Sequence, residues 1–567
     1  MPFTAGDRVV TEQPGKANQL AAIPILLIAL VALGAGLRLW QYFANPAIWL
    51  DEIAVARNIL DRPLRDLLTL PLAYDQSAPK GFLLLEKAAT SLFGSSDYVL
   101  RFFPLLSSLV ALVVFWRIVL RCLDDLAGLV ALALFATAAP YVVFASQVKQ
   151  YSFDIAVALL LFWLALDVRG SNLSVGKALR AGIAGAVLVW FSQPSVLVVC
   201  ALGASLTAFF ALNDRHRAPD GYSRFLAMTL GLWLASGLVA ALAGLTSVTA
   251  ATKEYMHRYW VAGFPPVPIS RVAKTLWPWD QLERILGAGG PASLIYPVPT
   301  IFFGLIVLGF VALWRRDRFV TTLLLAPFGL TLAAAIARQY PFSDRLILFL
   351  TPTFFIAIGA SAEQIRQSLG RWPTPVGVFV PVLITASAVY PMAKTPPAYH
   401  LEDMKPELAY LQERRRPGDA VYVYYGAAPV VTFYAGSYGL RENDYAVGGC
   451  NRGDSRSYFG ELDGFRGRPR VWVLITHSLA LYRERDDILR YLDTIGLRRD
   501  SFATKSRLPS RVGSAAEVFL YDLSDPVRLS RATSLSSPVS GPSSVNARVG
   551  CGEGPQAMVA SRGLATQ

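Results

Sequence analysis

The chain is poor in charge. Of its 567 residues, 16% are Asp, Glu, Lys or Arg, and 54% are hydrophobic. A soluble domain carries about 25% charged residues, so an ordinary soluble globule is excluded; mean hydropathy is +0.41. Cysteine is scarce: Cys122, Cys200, Cys450 and Cys551 are the whole set. None sits in a Cys-x-x-Cys or Cys/His ligand spacing, which argues against a structural zinc. There is no glycine-rich nucleotide loop and no internal repeat. Acidic residues are outnumbered 40 to 53, for a formal charge of +13. In a soluble chain that excess would raise nucleic acid as a partner. Here the Lys and Arg lie between apolar runs, where they orient a membrane protein, and no nucleic-acid partner is expected.

What is present is a succession of apolar runs long enough to cross a bilayer. They fall at about 20–40, 99–116, 126–144, 152–168, 178–191, 194–213, 225–248, 298–314, 319–338, 344–361 and 373–391. The first is too long for a signal-peptide core and reads as an uncleaved span. The count turns on 178–213. As one helix it would be roughly 54 Å long, against a hydrocarbon core of about 30 Å, and Phe191-Ser192-Gln193-Pro194 interrupts it. With two crossings there, the short loops on one side hold Arg117, Arg121, Arg169, Lys177, Arg180, Arg215, Arg217, Arg224, Arg315, Arg316, Arg318, Arg366 and Arg371. Those on the other side hold only Lys149. The positive-inside rule then predicts eleven spans and a cytoplasmic N-terminus, 1–19. The loops 41–98 and 249–297, and everything after Pro391, fall outside.

The predicted architecture is a polytopic α-helical membrane domain, 20–393, followed by an extracytoplasmic α/β domain, 394–525. In the latter, charged helical stretches (Leu401–Arg416, Arg483–Leu492) alternate with β-rich runs at 420–425, 470–475 and 517–521. From Pro526 to Gln567 the chain is rich in Ser, Gly and Ala, and a disordered tail is expected.

The stretch Ile48-Trp49-Leu50-Asp51-Glu52-Ile53 follows the first span. Two adjacent carboxylates among apolar and aromatic residues fit the mouth of a cavity, where a carboxylate can act as a base. They equally fit the N-terminus of a helix over Ile53–Leu60. The loop continues through Tyr74, Gln76 and Lys80, with apolar residues spaced as in helices lying in the interface. Its Arg62, Arg65 and Asp66 suit a solvated face. Asp154 lies one turn inside the fourth span, where an ionisable group is a functional candidate, unless it pairs with Lys149 or Arg101. Arg338 and Arg345 flank a short outer turn that should be poor in cations. They suit an anion site or snorkelling to headgroups, and Arg38 has the same two readings. In the second loop, His257 and Trp260 lie in a run of aromatics and charges suited to stacking on a sugar, or to an interfacial aromatic belt.

The order of these elements resembles a family. Asp-Glu follows the first span. A loop with Tyr74-Asp75-Gln76-Ser77-Ala78-Pro79 comes next. Phe93-Gly94 through Arg101 then leads into span two, and Gln147-x-Lys149-x-Tyr151 precedes span four. The pattern is similar to GT-C glycosyltransferases of the protein O-mannosyltransferase and lipid A aminoarabinose-transferase type, over roughly 20–390. The resemblance implies a bacterial inner-membrane enzyme taking a sugar from a polyprenyl phosphate to an envelope acceptor on protein, lipid or polysaccharide. A phosphate is already a good leaving group. One base suffices, with Asp51 in that role and Glu52 beside it, and direct displacement inverts the anomeric carbon. Lys80, Lys149, Arg338 and Arg345 become candidates to hold the donor phosphate. Tyr74, Gln76, Arg101, Tyr151, Asp154, His257 and Trp260 become candidates to position substrate. No cofactor is required; Asp51 and Glu52 could bind a divalent metal, but none is indicated. The alternative function is an envelope glycan or lipid translocator or a polymer ligase. An extracytoplasmic C-terminal domain would let Cys450 and Cys551 pair in an oxidising compartment.

Overall fold

Each of the eleven apolar runs holds helix in the computed structural model, which describes residues 14–169, 173–214, 221–288, 290–369, 374–478, 483–509 and 513–529. Among the described residues, seven helices are long and apolar enough to cross a membrane, or eight if the bent pair Asp125–Thr137 and Ala139–Ser146 is one span. The remaining runs hold Val175–Leu188, Pro352–Ser368 and Thr374–Lys394. The protein is a polytopic helical membrane protein with a C-terminal α/β domain.

Charged contacts mark the two ends of the bundle. At one end Arg316 meets Asp124 at 2.5 Å, Arg169 meets Asp317 at 3.5 Å, and Arg121 pairs with Asp167. These are residues of the arginine-rich loops. The opposite end gathers Asp51, Lys149, Gln193, Gly244 and Arg345 around one cavity. The stretch 178–213 is two helices, Val175–Leu188 and Ser195–Phe209, and Gln193 of the break lies at the cavity end. The chain therefore rises and returns there.

The bend in the third run has a definite cause. Pro140 has no N–H for the Ala136 carbonyl four residues back, and the backbone at Ala138 is extended. Arg38 fills the gap. Its guanidinium donates to the carbonyls of Ala136 (3.1 Å) and Phe135 (3.4 Å), and to Ser108 Oγ at 2.8 Å. Arg38 is fully buried, so neither reading from the sequence, anion site or snorkelling residue, holds. The bend carries the chain into the 147–150 segment that delivers Lys149.

The helix Pro352–Ser368 is wedged between Pro299–Arg316 and Asp125–Thr137. Two glycines permit the approach. A Cβ at Gly309 would lie 1.8 Å from the Ala357 carbonyl oxygen, and one at Gly359 would lie 2.3 Å from that of Ala127. Small residues at such crossings are the usual device of membrane helix packing.

The C-terminal domain is built on a five-stranded sheet of order β2-β1-β3-β5-β4: β1 Ala420–Val423, β2 Ala446–Val447, β3 Val471–Ile475, β4 Leu497–Thr504 and β5 Ala516–Asp522. β1 is parallel to β2 and β3, while β5 is antiparallel to β3 and β4. The expected strands at 420–425, 470–475 and 517–521 are β1, β3 and β5. β2 has only two residues, and β4 is an edge strand whose Leu497 and Phe502 are separated by charged and small residues, so neither carries the apolar signal that marked the other three. The expected charged helices are Lys405–Arg414 and Glu484–Ile495. The domain docks on the first loop. Asp97 meets Lys405 at 2.6 Å and accepts from Tyr434 Oη at 2.6 Å; Tyr434 Oη accepts from the Ile48 amide at 2.9 Å. Asp403 accepts from the Ala47 amide at 3.0 Å. Both long loops and the domain thus share one end of the bundle. Pro526–Leu529, assigned from sequence to the tail, forms a helical turn. Residues 1–13 and the rest of the tail, with Cys551, lie outside the described residues; Cys450 is disulfide-bonded.

The glycine crossing predicts an overpacking defect. Gly309→Val should lower the melting temperature of the detergent-solubilised protein, at a cost of about 1–3 kcal/mol or more. Gly304→Val, on the same helix with open space around it, should melt like the wild type. Equal melting of the two variants would contradict the close approach.

Candidate active site

The loop 41–98 forms three helices, Leu50–Asp61, Leu64–Thr69 and Lys80–Phe93. Asp51 and Glu52 occupy the first turn of the first helix, where the amide dipoles favour negative charge. The pair therefore opens a helix, and only one of its carboxylates faces a cavity. Successive helical positions point about 100° apart, and the two carboxylates part company. Asp51 faces a cavity of about 800 Å³. Glu52 turns inward and is buried. It accepts from the Val148 amide at 2.8 Å and meets Arg101 at 3.6 Å. Arg101 also donates to Asn45 Oδ1 (3.0 Å) and the carbonyls of Pro46 (2.7 Å) and Ala47 (3.3 Å). Glu52 and Arg101 hold the loop against the 147–150 segment and do not reach the cavity.

Asp51 is gripped by two cations. Lys149 Nζ donates to its Oδ1 at 2.9 Å and to Gln76 Oε1 at 2.7 Å. Arg345 Nη2 lies 3.0 Å from its Oδ2, close enough to pair but not aligned for a hydrogen bond. The Asp51 side chain is only 14% exposed. Burial pushes its pKa up, but Lys149 and Arg345 outweigh burial and hold it below the usual carboxylate range. Asp51 is ionised at neutral pH. The Arg345 guanidinium is also boxed by aromatic rings: Trp260 at 5.3 Å, Tyr151 at 5.7 Å and Trp49 at 5.9 Å.

Of the residues singled out from sequence, Asp51, Gln76, Lys149, Tyr151, His257, Trp260 and Arg345 line this cavity together. The others do not. Lys80 donates to the Leu68 carbonyl and lines a separate apolar groove with Gly81, Ile183 and Trp190. Arg338 is exposed and lies over Phe264 at 5.8 Å. Tyr74 is half-buried in the turn ahead of Gln76, whose side chain donates to its carbonyl at 3.0 Å. Asp154 is buried beneath the cavity beside Ser192, and pairs with neither Lys149 nor Arg101 among the ion pairs of the described residues. Each of these four lies close to the cavity in sequence, but a turn of helix or a left-handed residue (Tyr74 φ 62°, Arg338 φ 56°) directs it elsewhere.

No protein-family model matches the chain, and no curated protein does. Solved structures do. The apo oligosaccharyltransferase of Archaeoglobus fulgidus is similar over 87% of this chain and 75% of its own, with 12% identity and a TM-score of 0.45. Apo ArnT of Cupriavidus metallidurans is similar over 88% of this chain and 98% of its own, with 12% identity and a TM-score of 0.42. ArnT bound to undecaprenyl phosphate gives 91%, 99%, 14% and 0.39. Both are GT-C glycosyltransferases.

The C-terminal domain adds two residues to the cavity that the sequence did not single out, Arg452 and His477. His477 is the second residue after β3, and Arg452 lies in the loop after β2; position beyond the carboxyl ends of parallel strands is the signal that could have found them. Thr252, Tyr255 and Tyr259 also line it, from the second loop, and Thr252 Oγ1 donates to Asp75 Oδ1 at 2.7 Å to tie the two loops. Among the described residues, no three His, Cys, Asp or Glu side chains group as a metal site. Asp51, already flanked by two cations, is a poor cradle for a third.

His477 Nδ1 lies 2.6 Å from Glu402 Oε1. Burial pushes the imidazole down, but Glu402 and, more weakly, Asp51 raise it above its ordinary value; Arg452 opposes them. A raised folded pKa stabilises the protein fully below the unfolded value of about 6.5. That contribution is lost as pH rises through the folded pKa. The melting temperature of the wild type should therefore fall across this window more steeply than that of His477→Gln. Parallel curves would remove the charge from this pair.

Proposed function

We propose that the protein is an inverting membrane glycosyltransferase. It moves a sugar from a polyprenyl phosphate to a hydroxyl of an envelope acceptor, at the outer face of a bacterial inner membrane. One observation carries the reading: a single ionised carboxylate, Asp51, shares a large, aromatic-lined cavity with two cations that already touch it. A hydrolase of glycosides would need a second carboxyl as acid, and Asp51 is the only acidic residue lining the cavity among the described residues. A phosphate leaving group removes that need.

The residues divide the work. Lys149 and Arg345 bind the donor phosphodiester. As the bond from the anomeric carbon to the phosphate oxygen breaks, the leaving phosphate gains charge, and both cations stabilise it in the transition state. Engaging the phosphate weakens their hold on Asp51 and raises its basicity. Asp51 then takes the proton of the acceptor hydroxyl as its oxygen attacks from the opposite face. Gln76 orients Lys149. Leu245, Val248, Met256 and Tyr255 give the cavity an apolar flank suited to the prenyl chain.

Asp51→Asn should still bind undecaprenyl phosphate and lose transfer by about 10²-fold or more, read as release of polyprenyl phosphate from a labelled lipid-linked sugar pool. Undiminished release would reject Asp51 as the base. A lipid moved across vesicles but never cleaved would make the protein a translocator. Arg345→Ala should weaken undecaprenyl phosphate binding by about 1.5–3 kcal/mol, the range for a hydrogen bond to a charged group; superimposable titrations would reassign it. Sidedness is tested on intact cells with an impermeant thiol reagent after reduction: Cys450 should label and Cys122 should not. The reverse pattern would place the cavity in the cytoplasm.

A further inference from the structure

The C-terminal domain turns the loops after β2 and β3 toward the membrane cavity. The chain leaves β1 for β2 on one side of it, then crosses through the helix Ser455–Asp463 to β3 on the other. The carboxyl ends of β1 and β3 therefore form a topological switch point, where open α/β sheets leave a crevice for ligands. Helices cover both faces: Ala428–Tyr434 packs on the side of Val421 and Val423, Ser455–Asp463 and Glu484–Ile495 on the side of Tyr422 and Val473. The loops after β1 and β3 touch; a Cβ at Gly426 would lie 2.8 Å from the Thr476 carbonyl oxygen.

His477 is the second residue after β3. Its φ of 53° is a backbone conformation that a non-glycine residue keeps only when its surroundings hold it, and such residues gather at functional sites. Glu402 does the holding, at Nδ1, which leaves Nε2 as the ring nitrogen for a ligand. Arg452 lines the same wall, with its Nε donating to Tyr425 Oη at 2.9 Å. The acids that balance these groups, Glu402 and Glu484, are buried behind them and do not line the cavity. The wall thus turns hydrogen-bond donors to the cavity and keeps the balancing carboxylates behind them. The donor does not need these groups. A phosphodiester carries one negative charge, and Lys149 and Arg345, less Asp51, already match it.

We propose that this crevice binds the acceptor through an anionic group, a phosphate or a carboxylate, carried beside the hydroxyl that Asp51 deprotonates. His477 and Arg452 are its ligands, and the acceptor is an acidic glycan or glycolipid, not a neutral protein side chain. The proposal rests on the reading of the cavity as a glycosyl-transfer site.

The test uses the full chain in nanodiscs, labelled at its four histidines for NMR, with His477→Gln to assign the signal. The probes are octyl β-glucoside, octyl β-glucuronide and octyl β-glucoside 6-phosphate. At least one charged probe should bind tenfold or more tighter than the neutral one and shift the His477 resonance. His477→Gln should abolish that preference; Arg452→Lys, a gentler change, should reduce it. The tighter of the two charged probes distinguishes carboxylate from phosphate. Equal binding of all three, or a preference that survives in His477→Gln, overturns the proposal. Undecaprenyl phosphate is titrated in parallel and should be weakened by Arg345→Ala but not by His477→Gln. Failure of that arm counts against the donor reading alone.

Discussion

The structure depends on burying one carboxylate between two cations that come from distant parts of the chain. Asp51, Lys149 and Arg345 stand on three separate segments, and each would be costly to bury alone. Together they close a cluster in which the charges nearly compensate. The cluster retains one net positive charge, and so stays receptive to an anion. The surrounding fold serves this geometry. Pro140 bends one span to bring Lys149 inward, Arg38 satisfies the carbonyls freed by the bend, and Glu52 with Arg101 pins the Asp51 helix to the segment carrying Lys149.

Two adjacent carboxylates with opposite duties show how local geometry separates roles. Asp51 sees cations and the cavity; Glu52 sees a backbone amide and a buried guanidinium. Burial alone pushes both carboxyls up. At Asp51 the cations reverse that push, whereas at Glu52 burial prevails and its pKa ends raised. Of the two, only Asp51 both faces the cavity and is held below the usual carboxylate range.

The C-terminal domain is part of the site. It docks through Asp97, Lys405, Tyr434 and Asp403 on the loop that carries Asp51, and it contributes His477 and Arg452 to the cavity wall. Domain docking and the completeness of the cavity are therefore the same event. A disturbance at Asp97, far from the chemistry in sequence, would act on the position of both Asp51 and His477.

Hydropathy and the Phe191–Pro194 break determined the helical runs and the two helices within 178–213, because lipid leaves a segment few alternatives to helix, and alternating β-rich and charged runs marked the α/β domain. The run Trp49-Leu50-Asp51-Glu52 was likewise legible, since paired carboxylates amid apolar residues are conspicuous. Which carboxylate faces the cavity was not. Sequence spacing marked Lys80, Arg338, Tyr74 and Asp154 as readily as Lys149 and Arg345, because charge in a loop carries no direction. Left-handed residues, helix phase and one proline bend set those directions, and they act only once the spans are packed. His477 and Arg452 lie more than a hundred residues beyond Arg345, after strands whose order no local pattern reveals. Only the tertiary structure, by docking a sheet edge over the membrane cavity, brings them within reach of Asp51.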